Sequence, residues 1–131
     1  MEFSLVGSDK PIIIVKAKVN GKGPFDFAVD TGASVTALSK ELAEDLGVSE
    51  NAGTQKKGHC CSGELDIAMA NVKSVEIGDT AVRDFQVAIM DLSSISEALK
   101  TDLAGIIGYS FMKDYKVIID YPNAQIFFQK P

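Results

Sequence analysis

Apolar residues recur with a period near two along most of the chain, broken by short polar or glycine-containing runs, which is the pattern of many short strands joined by turns. Glu2 to Val6 and Ile12 to Val19 read as strands, the second rich in β-branched residues. Asn20-Gly21-Lys22-Gly23-Pro24 is a turn signal, and Phe25 to Val29 returns from it with Phe25, Phe27 and Val29 alternating against Asp26 and Ala28. That strand stops at Asp30-Thr31-Gly32, so Asp30 is expected where a strand end enters a loop. Rigid scaffolds present chemistry at such loops.

Further along, Ser39 to Leu46 reads as a short helix, with Ser39 as N-cap, Glu41 and Glu44 on the exposed face and Gly47 as the stop. The run Gly53 to Gly63 is polar and glycine-containing, and apolar alternation resumes at Leu65, Ile67 and Met69, the layout of a hairpin with a mobile tip. Val72 to Ile77, a Gly78-Asp79 turn and Phe85 to Met90 form a further strand pair with Val87 and Ile89 on one face. Ser94-Ile95-Ser96-Glu97 has capping-box spacing and should open a helix of one or two turns through Lys100. After Leu103 to Gly108 comes a short helix at Tyr109 to Lys113. Two strands, Lys116 to Asp120 and Gln125 to Gln129, then flank the turn Tyr121-Pro122-Asn123-Ala124. Many short strands with small helices predict an all-β, barrel-like domain spanning 1–131.

Composition narrows the partners. With 131 residues and 46% hydrophobic content the chain fits one domain with a buried core. A net charge of −5 with scattered Lys and Arg argues against a nucleic-acid partner, which needs a concentrated basic surface. No stretch reaches the roughly 20 apolar residues of a membrane helix, and Met1-Glu2-Phe3-Ser4 lacks the layout of a signal peptide, while the compartment stays open. The two cysteines, Cys60 and Cys61, are adjacent, with α-carbons about 3.8 Å apart, closer than a disulfide spans, so free thiols are expected. His59 beside them is the only histidine, and three consecutive residues are poorly placed to share an ion, so neither a metal nor a cofactor is expected. Tyr115, Tyr121, Phe127 and Phe128 are expected in the core or in an interface.

Asp-Thr-Gly alone is a weak signal, because turn aspartates cap backbone amides in many proteins. Here it follows two apolar residues at a strand end, continues as Ala33-Ser34, and is matched further on by two apolar residues and a glycine, Ile106-Ile107-Gly108. With these features the chain resembles the retropepsin-like aspartic proteases, most closely the cellular and bacterial single-domain members. The resemblance covers nearly the whole chain: the Asn20-Gly21 hairpin, the helix after the motif, a glycine-containing flap at about 53–67, Gly105 to Met112 and the closing hairpin. It implies an all-β closed barrel with one or two short helices, working as a homodimer on polypeptide substrates.

The same resemblance implies that Asp30 is the catalytic carboxylate, in a catalytic loop spanning 28–34. Thr31 and Gly32 would support the loop and contact the second subunit. Ala33, Ser34 and the flap residues Gly58, His59, Cys60 and Cys61 would meet substrate, and Ile106, Ile107 and Gly108 would stand behind the catalytic pair. Ser34 occupies a position that viral members usually fill with an acidic residue, and the flap tip is bulkier than the glycine-rich viral ones. Peptide hydrolysis by this route uses one carboxylate to activate water while the other holds a proton. The chain carries one such motif, so a symmetric pair of chains is the economical way to bring two carboxylates together. The alternative is a peptide-binding or dimerisation module on the same fold with weak or absent hydrolysis.

Overall fold

The eight residues Ile12–Val19 form strand β2 because their β-branched run suits a pleated surface, and its inward side chains Ile13, Val15, Ala17 and Val19 are buried. In this computed structural model residues 1–7, 11–48, 56–60 and 63–131 are described, the side chains of 56–60 and 63–67 excepted. In chain order the elements are β1 (Ser4–Val6), β2, β3 (Lys22–Val29), β4 (Ala37–Ser39), α1 (Lys40–Leu46), β5 (Lys56–Cys60) and β6 (Gly63–Ile77). Then come β7 (Thr80–Met90), α2 (Ser93–Leu99), β8 (Gly105–Ile107), α3 (Tyr109–Met112), β9 (Lys116–Asp120) and β10 (Gln125–Gln129).

The large sheet has the order β1-β2-β3-β8-β4-β7-β6-β5. Strand β6 also returns to β2 through Lys18↔Glu76 and Val19↔Val75. That contact closes β2, β3, β8, β4, β7 and β6 into a barrel and leaves β1 and the β5–β6 hairpin projecting from it. Phe27, Leu38, Val75, Ile77, Val87, Ile107, Phe111 and Ile126 fill the interior. Full burial of such side chains contributes about 1.5–3 kcal/mol each. Strands β9 and β10 form a separate two-stranded sheet, which lays Val117, Ile119, Ile126 and Phe128 against the main core. The all-β closed barrel is therefore as expected, and no helix among the described residues is long and apolar enough to cross a membrane.

Several details differ from the sequence expectation. The helix expected at Tyr109 to Lys113 is a single turn, Tyr109–Met112, that follows Gly108 and buries Phe111 and Met112. Strand β6 is one continuous run of 15 residues instead of two pieces, since it pairs first with β5 and then with β7. Helix α2 begins at Ser93, and no side chain of Leu92 caps it. Asp91 performs that task, accepting the Ser93 N–H at 2.9 Å, so the Ser94–Glu97 spacing is not used as a capping box. Only Ser4–Val6 of the first segment is strand, with Glu2 bridging Gln125. Ala28 is buried as well as Phe27 and Val29, because Ile14 and Leu103 cover the other face of β3. Helix α1 follows the expectation: Ser39 accepts the Leu42 N–H at 3.1 Å, and Gly47 closes it at φ 68°.

Candidate active site

Strand β3 delivers Asp30 to the surface, and β8 fixes where it emerges. Phe27, Ala28 and Val29 lie in parallel register with Gly105, Ile106 and Ile107. One residue further the Asp30 N–H donates to the Ile107 carbonyl at 3.0 Å. The chain then turns sharply. The Ala33 N–H donates to the Asp30 carbonyl at 3.1 Å, and the Gly32 N–H donates to Asp30 Oδ1 at 2.9 Å. Asp30 is thus an exposed carboxylate oriented by its own loop. A Cβ on Gly32 would stand 3.2 Å from Oδ1, so glycine lets the amide approach the carboxylate.

The loop returns across the same segment. The Tyr109 N–H donates to Ala33 O at 2.8 Å and the Ser110 N–H to Ser34 O at 3.2 Å. Beneath it Thr36 is fully buried, and its hydroxyl accepts from the Gly108 N–H at 3.2 Å and from the Ser110 hydroxyl at 3.2 Å. Ser110 Oγ in turn accepts the Thr36 N–H at 2.9 Å. Gly108 is needed for this closeness, because a Cβ there would lie 2.3 Å from Val35 O and 2.9 Å from Ala33 O. Strand β4 completes the cradle by pairing with β8 on one side, Ala37↔Ile106, and with β7 on the other, Ala37↔Ala88.

These contacts bring Asp30, Gly32, Ala33, Ser34, Ile107 and Gly108 into one hydrogen-bonded unit. Ile106 points to the opposite side of β8 and joins an apolar patch of Ala37, Met69 and Ala88 with Val35 and Met90. Thr31 and Ser34 are exposed. Gly58, His59 and Cys60 belong to β5, where they pair with Leu65, Glu64 and Gly63 of β6. Cys61 lies outside the described residues. A cavity of about 590 Å³ is lined by Val35, Met69, Phe111 and Tyr115, and it excludes Asp30. No cluster of metal-ligating side chains occurs among the described residues. Thr36 and Ser110 escaped the sequence reading. The available signal was a hydroxyl in the otherwise apolar stretch after Ser34, and a second one two residues past Gly108.

A family model described as aspartyl protease matches residues 15–111, a span holding both the Asp30 loop and Ile106-Ile107-Gly108. The chain belongs to the aspartyl protease family. No relative is found among curated proteins. A retropepsin-like aspartic protease from Rickettsia conorii is similar over 97% of this chain and 99% of its own, with 25% identity and a TM-score of 0.62. The retroviral protease-like domain of Ddi1 from Leishmania major matches at 17% identity and TM-score 0.56, covering 89% of this chain and 87% of that one. The EIAV protease, solved with an inhibitor, matches at 15% identity and TM-score 0.54, covering 82% and 88%. This member of the aspartyl protease family thus shares the retropepsin-like barrel.

Proposed function

We propose that the chain is a homodimeric aspartic endopeptidase, a single domain over 1–131 whose two Asp30 carboxylates, one from each subunit, activate water between them. The observation that carries this reading is an exposed Asp30 held by Gly32 and Ile107, at the end of a strand inside the span matched by the aspartyl protease model. Asp30 Oδ1 is engaged by its own loop, whereas Oδ2 has no hydrogen bond among the described residues.

In the proposed reaction one Asp30 takes a proton from water as it attacks the scissile carbonyl carbon, and the other, protonated, donates to the carbonyl oxygen. Collapse of the tetrahedral intermediate returns a proton to the leaving amine. Two carboxyls this close share one proton, the known behaviour of aspartic-protease dyads. Thr31 and Gly32 support the loop and meet the other subunit. Ala33 and Ser34 line the substrate path together with the flap at about 53–67, including Gly58, His59, Cys60 and Cys61. The apolar patch around Ile106 offers a wall for substrate side chains. An extended peptide would gain its affinity from main-chain hydrogen bonds.

Asp30→Asn should abolish cleavage of unfolded polypeptides at mildly acidic pH while the protein stays folded and dimeric. Wild-type hydrolysis should be blocked by a statine-type mimic of the tetrahedral intermediate. Unchanged turnover by the Asp30→Asn protein would overturn the assignment. A wild-type protein that binds peptides but cleaves none would establish the binding-module alternative.

A further inference from the structure

We propose that the cavity beside the Asp30 loop binds an aspartate or glutamate side chain of the bound peptide; this rests on the endopeptidase reading above. The cavity, about 590 Å³, lies between β7 and the segment that follows Gly108. Its floor is aromatic. Phe85 meets Phe111 edge-on with ring centroids 6.2 Å apart, and Tyr115 stacks on Phe111 at 6.0 Å. Its exposed rim carries Arg83, Lys113 and Lys130 against Asp84 and Asp114, an excess of one positive charge in a chain whose net charge is −5. Arg83 is the single arginine of the sequence. None of these five side chains joins an ion pair among the described residues, so the three cations are open to a ligand.

The backbone is bent in a way that keeps the arginine there. Strands β6 and β7 pair through Val72↔Phe85 and again through Ser74↔Arg83, with no pairing of Lys73 and Asp84 between them. Asn20 Oδ1 takes the Lys73 N–H at 2.7 Å, and Asp84 sits in the left-handed region at φ 51°. Aspartate tolerates that conformation at some cost, and inside a strand it breaks the alternation of faces. Val82 and Phe85 would face opposite ways in a regular strand, yet both pack on the core, which leaves Arg83 and Asp84 together on the exposed side. Such strain clusters at ligand sites. The occupant follows from what adjoins the cavity. Val35 and Met69 line it and also belong to the apolar patch around Ile106. Ser110 lines it too, and its N–H donates to Ser34 O in the Asp30 loop. A peptide with an apolar side chain on the Ile106 patch therefore continues over Val35 and Met69 to the cavity. There Arg83 presents a planar fork that suits a carboxylate, Lys113 and Lys130 add point charges, and the rings receive the methylene stem of a glutamate.

Paired peptide substrates test this on the full chain, identical except that one of each pair carries Glu and the other Gln, at each position in turn on either side of the scissile bond. At low salt and above about pH 5, where glutamate is ionised, wild type should cleave the Glu peptide with a kcat/KM about fivefold higher than its Gln twin at one position, the size of an ion pair that keeps contact with water. Arg83→Gln should bring that ratio close to one. Arg83→Lys should restore part of it, because lysine keeps the charge and loses the fork. Fluorescence polarisation with the Asp30→Asn protein reads the same Glu-to-Gln ratio in binding, independently of turnover. Equal treatment of Glu and Gln at every position in both assays, or a preference that survives Arg83→Gln, overturns the cavity assignment and leaves the endopeptidase standing. Inorganic phosphate that raises the melting temperature of wild type but not of Arg83→Gln, with no preference for Glu, assigns the cavity to a free anion and overturns the peptide reading. Cleavage of no peptide, with the Glu preference intact in binding, overturns the endopeptidase while the carboxylate site stands.

Discussion

Thr36→Val isolates the buried hydroxyl that ties the Asp30 loop to Gly108 and Ser110. Valine keeps the volume and β-branching of threonine but cannot accept the Gly108 N–H or the Ser110 hydroxyl, each 3.2 Å from Thr36 Oγ1. The Ser110 hydroxyl still accepts the Thr36 N–H, and its proton can rotate elsewhere, whereas the Gly108 amide is left buried without an acceptor. An unsatisfied buried donor costs about 1–3 kcal/mol. At roughly 3–4 °C per kcal/mol for a chain of this size, the melting temperature should fall by roughly 3–12 °C. Wild type and variant must be compared at one protein concentration, because dimerisation shifts apparent stability. Catalysis should suffer in addition, since a loop displaced by about 1 Å can lower kcat/KM by up to ~100-fold. A double-mutant cycle with Ser110→Ala should give a coupling of about 0.5–3 kcal/mol. A stability loss under about 0.5 kcal/mol together with wild-type kcat/KM would refute the idea that this hydroxyl holds the loop.

Gly108→Ala should be more severe, because its Cβ would meet backbone of Val35 and Ala33 at under 3.0 Å; overpacking of this kind costs about 1–3 kcal/mol or more, and denaturant unfolding with a peptidase assay reads both effects. Asp91 is held below its ordinary value of 3.8 by the Ser93 hydroxyl, then by the Ser93 amide and by Lys40, against a small opposing effect of burial. A carboxyl with a depressed folded pKa adds stability above its unfolded pKa, and that stability fades as pH falls through the folded value, so the contribution of Asp91 should be complete at neutral pH and vanish only in acid below about pH 4. Carboxyl NMR should show Asp91 titrating low in wild type and moving up in Ser93→Ala; identical titrations would refute the assignment. Asn20→Ala should loosen the turn before β3, because Asn20 Oδ1 accepts the Lys73 N–H at 2.7 Å and the Ser74 N–H at 3.3 Å, with an expected loss of about 1–3 kcal/mol in urea unfolding.

What could be read in the sequence was local. The period of β2 and β3, the caps Ser39 and Gly47 and the turn at Gly78-Asp79 depend on residues a few positions apart, and each appears near its expected place. Strand β4 was missed because three residues, Ala37–Ser39, carry too little period, and it forms only because β7 and β8 flank it. The helix α2 cap was misplaced because Ser94 and Glu97 have the right spacing while the competing acceptor, Asp91, lies just upstream. At the site, Asp30 and the Ile106-Ile107-Gly108 segment were visible as patterns. The Thr36–Ser110 pair was not, because its two hydroxyls are 74 residues apart and nothing in either neighbourhood announces the other.

Strand β6 runs unbroken from Gly63, beside β5, to Ile77 at the β7 turn, and touches β2 near its far end. Its projecting half is therefore the overhang of a beam whose other half is clamped on both sides within the barrel. A force on the overhang is transmitted as bending and twist into Val75 and Glu76, and from there into β2, the neighbour of the strand that ends at Asp30. In the proposed peptidase, stiffness of the barrel wall and pressure of the hairpin on a bound peptide would be mechanically one quantity. If the hairpin is the flap of the proposed peptidase, substitutions near Val75, far from Asp30 in sequence, should tune how firmly it closes without touching the carboxylate.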